Sequence, residues 1–324
     1  MNQTITNKIR KYIFRHNLLS NDDFVLVALS GGADSVFLLR VLLHLGYNVE
    51  AIHCNFHLRG QESMRDETFV RDLCKRLKVT LHVKHFDTTD YAHTHHQSIE
   101  LAARTLRYDY FEQLRQQRHA TLIAVAHHRD DNVETMIWNM VRGTGLRGLR
   151  GMLPRNGFIV RPLLNISRKE IINALDDIKQ GYVTDSSNLQ TDYTRNKIRH
   201  EVIPLLQTLN PAAEKNLSTM MDNMQDIWSI YSQYIEEAKR TCVTEANDMI
   251  RIDLSRLSPD APCRTILHEI LSPYGFNRTQ TDDMFSALSG KVFTSEHCEA
   301  HVKVSASGKR VIRVITPKTN EITE

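Results

Sequence analysis

Phe24-Val25-Leu26-Val27-Ala28-Leu29-Ser30-Gly31-Gly32-Ala33-Asp34-Ser35-Val36-Phe37-Leu38-Leu39 is the stretch around which this chain is organised. Its first six residues are a continuous apolar run rich in β-formers, the pattern of a strand buried on both faces. From Ser35 the apolar residues continue to Leu45 without alternation, and Gly46 stops them as a helix C-cap would. Ser30 to Ser35 is therefore a strand-to-helix turn. Adjacent glycines let the backbone take positive φ and approach a ligand closely. The helix N-terminus and the Ser30 and Ser35 hydroxyls offer donors to an anion such as pyrophosphate. No lysine follows the glycines, so the turn is neither a Walker A loop nor a GxGxxG dinucleotide turn. An ordinary tight βα turn also uses Gly-Gly and Ser, and local composition leaves both readings open.

With 324 residues the chain has room for two domains, one with a sizeable core. No apolar run reaches the length of a membrane span, and the first ten residues hold no apolar signal region. The expectation is a cytoplasmic protein with no membrane partner. The five cysteines are scattered and form neither a disulfide framework nor a CxxC pair. Net charge is only +3, but Arg142, Arg147, Arg150, Arg155, Arg161, Arg168 and Lys169 follow one another with no acidic residue between them. Arg195, Lys197, Arg199 and His200 form a second group. Such patches serve phosphate backbones or simply face solvent.

Taken in order, Thr4 to Leu18 is an amphipathic leading helix, and Val49 to Phe56 and Val79 to Val83 are further strands around a helix from Gln61 to Lys78. A histidine-rich loop, Tyr91 to Gln97, precedes a helix from Ser98 to Gln117 that turns Leu101, Ala102, Leu106, Tyr110 and Leu114 inward. Thr121 to Ala126 is the fourth strand. Strands alternating with helices at this pace give an α/β fold, a doubly wound parallel sheet with helices on both faces. Such sheets bind ligands where strand order reverses, and there the first and fourth strands are expected side by side. The tips of both strands carry the most polar stretches of the domain, Ser30 to Ser35 and His127 to Glu134.

On a helix from Arg129 to Arg142, Asp130, Asp131 and Glu134 share a face. Carboxylates so placed repel and are better tolerated around Mg²⁺ or an ammonium group. Compensation of the helix dipole explains Asp130 and Asp131 singly, but not their place beside the Ser-Gly-Gly turn. A zinc site at His127 and His128 is disfavoured, since no cysteine lies near. Further on come a strand at Phe158 to Leu164, a helix over Ser167 to Gln180 capped by Ser167 and Glu170, and a helix from Tyr193 to Leu209 interrupted near Pro204. A long helix from Pro211 to about Cys242 leads to an α+β module. It holds strands at Met249–Leu254, Val292–Thr294, His301–Ser305 and Arg310–Ile315, and helices at Cys263–Ser272 and Arg278–Leu288. The expected domains are 1–209, a helical linker at 210–245, and 246–324.

Ser30-Gly31-Gly32-Ala33-Asp34-Ser35 resembles the SGGxDS signature of the PP-loop ATP pyrophosphatases, which cleave ATP between the α and β phosphates and transfer AMP to a substrate oxygen. Asp34 repels phosphate unless a cation intervenes, as in a Mg²⁺-bridged triphosphate. More specifically, several segments are similar to the tRNA(Ile)-lysidine synthase family. They are His53-Cys54-Asn55-Phe56-His57-Leu58-Arg59 with Glu62, Ser63 and Asp66, Ala103 to Tyr108, Ala126 to Thr135, Arg142 to Met152, Asp185-Ser186-Ser187-Asn188, and Tyr193 to Arg199. The similarity runs from about Asp23 to Leu206, with Asn132 in place of the usual glutamine and Cys54 to His57 departing from an FNH-type spacing. Leu288 to Phe293 resembles the family's small substrate-binding domain. Many members carry a further C-terminal domain beyond the stretch matched here, and the expectation is either a short form or a sequence that stops before it.

The resemblance implies an ATP-dependent ligase. ATP adenylates the C2 oxygen of the wobble cytidine in the CAU anticodon of isoleucine tRNA, and the ε-amine of L-lysine then attacks C2, releasing AMP and forming lysidine. It implies nucleotide binding by Ser30, Gly31, Gly32, Ala33, Asp34, Ser35, His53 and Asn55. Asp34, Arg107, Asp130, Asp131 and Glu134 would be catalytic, with Mg²⁺ on Asp34 and Asp130 and lysine on Asp131 and Glu134. Arg147, Arg150, Arg195 and Arg199 would meet tRNA, and a homodimer is left open. Alternatives are another PP-loop enzyme, such as a tRNA thiolase or an amide-forming synthetase, or a non-catalytic nucleotide- or tRNA-binding module. The cysteine spacing disfavours a CxxC thiolase, and the retained carboxylates disfavour a pure binder.

Overall fold

The computed structural model describes residues 3–184, 193–246, 249–296, 298–306 and 310–315, so the Asp185–Asn188 motif lies outside the described residues. They divide into two compact units, Met1–Met224 and Gln225–Glu324.

In the first unit β1 (Phe24–Ala28), β2 (Asn48–Asn55), β3 (Leu81–His85), β4 (Leu122–Ala124), β5 (Arg155–Asn156) and β6 (Ile159–Val160) form one sheet in the order β3-β2-β1-β4-β6-β5. All neighbours are parallel except β5 and β6. β1 pairs with β2 on one side and β4 on the other, so strand order reverses there, as the alternation of elements predicts. Along β1 the period of two divides the core. Val25 and Val27 pack under α1 (Gln3–Arg15) and α2 (Ala33–His44), with Ile9, Ile13, Phe37 and Leu38 buried among them. Leu26 faces the other way, with Ile52, Ile123 and, from α5 (Ile99–Arg118), Phe111 and Leu114. Burying each such side chain contributes about 1.5–3 kcal/mol, which pins the register of the strand that carries the turn.

Several expectations shift. The histidine-rich stretch is largely helical, because the Asp87 carboxylate accepts from the Asp90 N–H and starts α4 (Thr88–Thr94). Leu101 is exposed in the first turn of α5, and Phe111 is the buried residue that the spacing missed. The strand expected over Phe158 to Leu164 keeps only Ile159 and Val160, since Pro162 has no N–H for a ladder. Leu163 and Leu164 are buried nonetheless. After α6 (Arg129–Val141) and α7 (Leu146–Leu149), α8 (Arg168–Asp177) starts at the predicted Ser167–Glu170 capping box. The segment from Tyr193 to Leu209 is α9 (Tyr193–Lys197), one π-helical turn (Ile198–Val202) and α10 (Ile203–Leu209). Pro204 cannot donate to the carbonyl four residues back, and the wide turn lies just before it.

The unit division falls at Met224, within α11 (Ala213–Cys242). The second unit is an antiparallel sheet, β7-β8-β11-β10-β9, of β7 (Val243–Ala246), β8 (Met249–Asp253), β9 (Val292–Thr294), β10 (Glu299–Val304) and β11 (Arg310–Ile315). Ile252, Val302 and Ile312 pack there against Ile266, Leu267 and Leu271 of α12 (Cys263–Leu271) and Met284 of α13 (Arg278–Ser286). Among the described residues no helix is long and apolar enough to cross a membrane.

Candidate active site

The tips of β1 and β4 open into a cleft of about 290 Å³ lined by Ser30, Gly32, Asp34, Ser35, Cys54, Phe56, Arg107, Tyr108 and His127, among others. The turn beneath it is tied by one hydroxyl. Ser35 Oγ accepts from the Ser30 and Gly31 N–H groups, both at 3.2 Å, and donates to the Gly32 carbonyl at 3.0 Å. The Ser35 hydroxyl, one of the donors expected for phosphate, is thus taken internally, as are the Ser30 and Gly31 N–H groups. Those left are the first N–H groups of α2, of Ala33 and Asp34 above all, which have no acceptor within the helix and carry its positive dipole end. Gly31 is the glycine the fold requires. Its φ is +97°, and a Cβ there would lie 2.8 Å from the Val183 side chain. Gly32 has ordinary extended geometry, and its Cβ would reach nothing closer than 3.6 Å.

The start of α6 gathers the acidic residues beside this turn. The His128 N–H donates to Asp131 Oδ2 at 3.0 Å, and His128 Nδ1 accepts from the Asp131 N–H at 3.4 Å. This reciprocal cap buries the His128 ring and leaves Nε2 at 3.8 Å from Asp34 and 3.5 Å from Asp131. Arg168 donates its backbone N–H to Asp130 Oδ2 at 3.1 Å, and its guanidinium stands 3.7 Å from Asp34. Burial raises the Asp34 pKa, with His128 and Arg168 opposing. Asp34 Oδ1 and Asp130 Oδ1 are buried with no hydrogen-bond partner among the described residues. No group of three or more His, Cys, Asp or Glu side chains converges as a metal cage among those residues. Two acceptor-only carboxylate oxygens suit Mg²⁺, a hard cation commonly held by one or two carboxylates together with substrate phosphates.

Glu134 is buried, and a guanidinium holds it. Arg199 donates to Oε1 at 2.6 Å and Oε2 at 3.0 Å and approaches Asp131 at 3.7 Å. Arg195 stands 4.0 Å away. Arg199, grouped in sequence with tRNA-facing residues, thus turns inward, and the face expected to wait for an ammonium already carries a cation. Arg147 and Arg150 lie on α7 and its C-cap, apart from the residues lining the cleft.

His53 and Asn55 line an adjoining cavity of about 190 Å³ that shares Ser30, Phe56 and Arg107 with the cleft. Both are anchored. His53 Nδ1 donates to the Leu29 carbonyl at 2.8 Å, and burial lowers its pKa. The Asn55 amide donates to Glu67 at 2.8 Å, and its carbonyl accepts from the His57 N–H at 3.0 Å. His127, marked in the sequence only as half of a disfavoured zinc pair, lines the cleft. Arg161 Nε donates to its Nδ1 at 3.1 Å, and burial brings its pKa down to about 4, so the neutral ring carries its proton on Nε2. Arg161 is itself buried and donates to the Leu153 carbonyl.

A switch-point cleft over a Ser-Gly-Gly turn, with carboxylates on the adjacent helix, defines a nucleotide-binding domain of PP-loop type. Residues 1–206 match the PP-loop domain family and residues 245–299 the TilS substrate binding domain. A tRNA(Ile)-lysidine synthase of Porphyromonas gingivalis is 44% identical over 320 residues, 98% of this chain and 70% of that protein. One of Bacteroides thetaiotaomicron is 51% identical over 287 residues, 89% of this chain and 66% of that protein. The chain belongs to the tRNA(Ile)-lysidine synthase family. It spans 66% of the length of the Bacteroides relative. Among solved structures, the U34-tRNA thiolase NcsA from Methanococcus maripaludis shares the fold, with a TM-score of 0.58, 17% identity, and coverage of 69% of this chain and 79% of that one.

Proposed function

We propose that this protein ligates L-lysine to C2 of the wobble cytidine in the CAU anticodon of isoleucine tRNA, through an adenylated cytidine, with release of AMP and pyrophosphate. Family membership, together with the carboxylates of α6 set beside the PP-loop turn, carries this reading. The α2 N-terminus and Ser30 would cradle the ATP phosphates, and Arg107 would reach the reacting centre from across the cleft. Mg²⁺, held by Asp34 and Asp130, would neutralise phosphate charge there. The cytidine oxygen is a poor leaving group until it carries AMP. His127 Nε2–H stays a neutral donor in the cleft throughout the working pH range.

Lysine must lose its ammonium proton before it attacks. Burial lifts the Glu134 carboxyl, which brings its basicity closer to that task, and Asp131 stands beside it. Arg199 keeps Glu134 charged until the ammonium arrives. The exposed basic residues Arg147 and Arg195 are assigned to the tRNA backbone, with Arg150. Thiolation is disfavoured on chemical grounds. Cys54, the cysteine in the cleft wall, has its thiol pushed up to about 12 by burial, so it is not a ready nucleophile. Labelled lysine incorporated into an isoleucine tRNA transcript, with equimolar AMP and pyrophosphate, is the expected result. Adenylation alone releases pyrophosphate, so sustained AMP release that depends on tRNA but not on lysine would overturn the lysine assignment.

A further inference from the structure

Beyond the nucleotide cleft, the C-terminal ends of β2 and β3 carry a second recess that the reaction as described does not use. It measures about 380 Å³ and is lined by Phe56, His57, His85, Phe86 and the following residues as far as Thr89. Its four rings are arranged in two stacks. Phe56 and Phe86 lie 5.3 Å apart at 15°, and His57 and His85 lie 4.9 Å apart at 22°. The histidine rings are exposed, and the phenylalanines are half-buried.

The turn that presents these rings is built from buried polar groups. Asn55, only 2% exposed, accepts from the His57 N–H and donates to buried Glu67, whose carboxylate also stands 3.3 Å from His85. His57 Nε2 and His85 Nδ1 share a hydrogen bond of 2.8 Å. His57 sits at φ +53°, a left-handed conformation uncommon for a side chain of this size. Asn55 and Glu67 therefore act as a brace for a strained, ring-bearing turn. Phe56 is also a wall of the nucleotide cleft, where the Arg107 guanidinium lies 5.2 Å over its ring. A group in the recess is thus one ring away from a group in the cleft.

We propose that this recess is a second nucleobase site, taking the unpaired base next to the reacting cytidine in the RNA chain. The inference rests on the reading of the substrate as an RNA loop. To bring one base to ATP, a loop must unstack it from its neighbour, and the neighbour's exposed π-face then needs a new partner. Aromatic and imidazole rings supply that partner in single-stranded RNA recognition. Rings held in advance lower the ordering cost of capture.

The test uses the whole protein and a synthetic anticodon stem-loop with 2-aminopurine at one or the other position flanking the cytidine. Binding is expected to change the fluorescence at one flanking position. His57→Asn, which tolerates left-handed backbone, and Phe86→Leu, which keeps apolar volume, should each weaken stem-loop affinity about tenfold. ATP affinity should stay unchanged in both. Variants that bind the stem-loop like the wild type, or no fluorescence change at either position, overturn the second site. Lysine incorporation into full-length tRNA is measured alongside. Wild-type incorporation without a flanking-base signal removes the second site and leaves the reaction standing. A flanking-base signal that the variants lose, without incorporation, supports the site and removes the reaction.

Discussion

Replacing Arg199 with alanine strips both charge-assisted hydrogen bonds from a Glu134 side chain that is 1% exposed. Breaking a buried ion pair from one side costs about 3–5 kcal/mol, because the remaining charge keeps its desolvation penalty. Arg199 is itself 31% exposed and Arg195 stands 4.0 Å from the same carboxylate, so the lower end, about 3 kcal/mol, is expected. The loss should depend on pH with a definite sign. Burial already holds the Glu134 carboxyl above its usual range against the pull of Arg199, and removing Arg199 lifts it further. A carboxyl with a raised folded pKa contributes fully below its unfolded value, and the contribution is lost as pH rises through the folded one. The deficit of Arg199→Ala should therefore be smallest near about pH 4 and grow toward about pH 8. Urea titrations of the wild type, Arg199→Ala, Glu134→Gln and the double variant at both pH values measure it. The double variant should fall within about 1 kcal/mol of Glu134→Gln, which leaves no charge stranded. A deficit equal at both pH values, or below about 0.5 kcal/mol, would refute the pairing argument.

The two glycines of the turn should separate stability from binding. Gly31→Ala should lower the thermal midpoint at a cost of at least about 1 kcal/mol from positive φ alone, whereas Gly32→Ala should keep the midpoint and weaken ATP binding in calorimetry; the reverse pattern would exchange their roles. Asp34→Asn should raise the Mg²⁺ concentration needed for ATP cleavage while ATP alone binds no worse, since one repulsive charge is gone; an unchanged Mg²⁺ titration would move the metal elsewhere. Arg147→Gln should flatten the slope of log tRNA affinity against log salt by somewhat under one unit, and an unaltered slope would return Arg147 to a solvated face.

The sheet was legible because Phe24 to Leu29 and Thr121 to Ala126 are continuous apolar runs, and strand alternation with helices restricts their order. The site was legible where a signal is local. Ser30 to Ser35 and Asp130 to Glu134 are polar stretches at strand tips; the first lines the cleft, and the second meets it through the buried His128 ring, 3.8 Å from Asp34 and 3.5 Å from Asp131. What escaped depends on partners distant in sequence. Arg161 reaches His127 across 34 positions and Arg199 reaches Glu134 across 65, and no spacing rule links such pairs. Nor could composition distinguish Gly31 from Gly32, because the difference lies in a backbone φ of +97° at Gly31 alone and in the Val183 side chain, which packs tightly there and leaves ordinary room at Gly32. Asn132 shows the same limit. Its side chain anchors the Met152 N–H at 2.6 Å and closes against Gly151, a structural task invisible beside the acidic residues around it.

The π-helical turn at Ile198–Val202 gives this stretch an unusual tolerance profile. A wide turn of this kind is equivalent to one residue inserted into an α-helix, and one residue rotates everything on one side of it by about 100° relative to the other. Arg199 lies inside it, so the direction of its guanidinium is set by helical phase as much as by its own rotamer. Deleting any one residue between Ile198 and Val202 would restore regular winding and swing either Arg199 or the buried Ile203 off its present bearing. Among sequences of this family, length should therefore be more rigidly kept in these five positions than residue identity at all but Arg199.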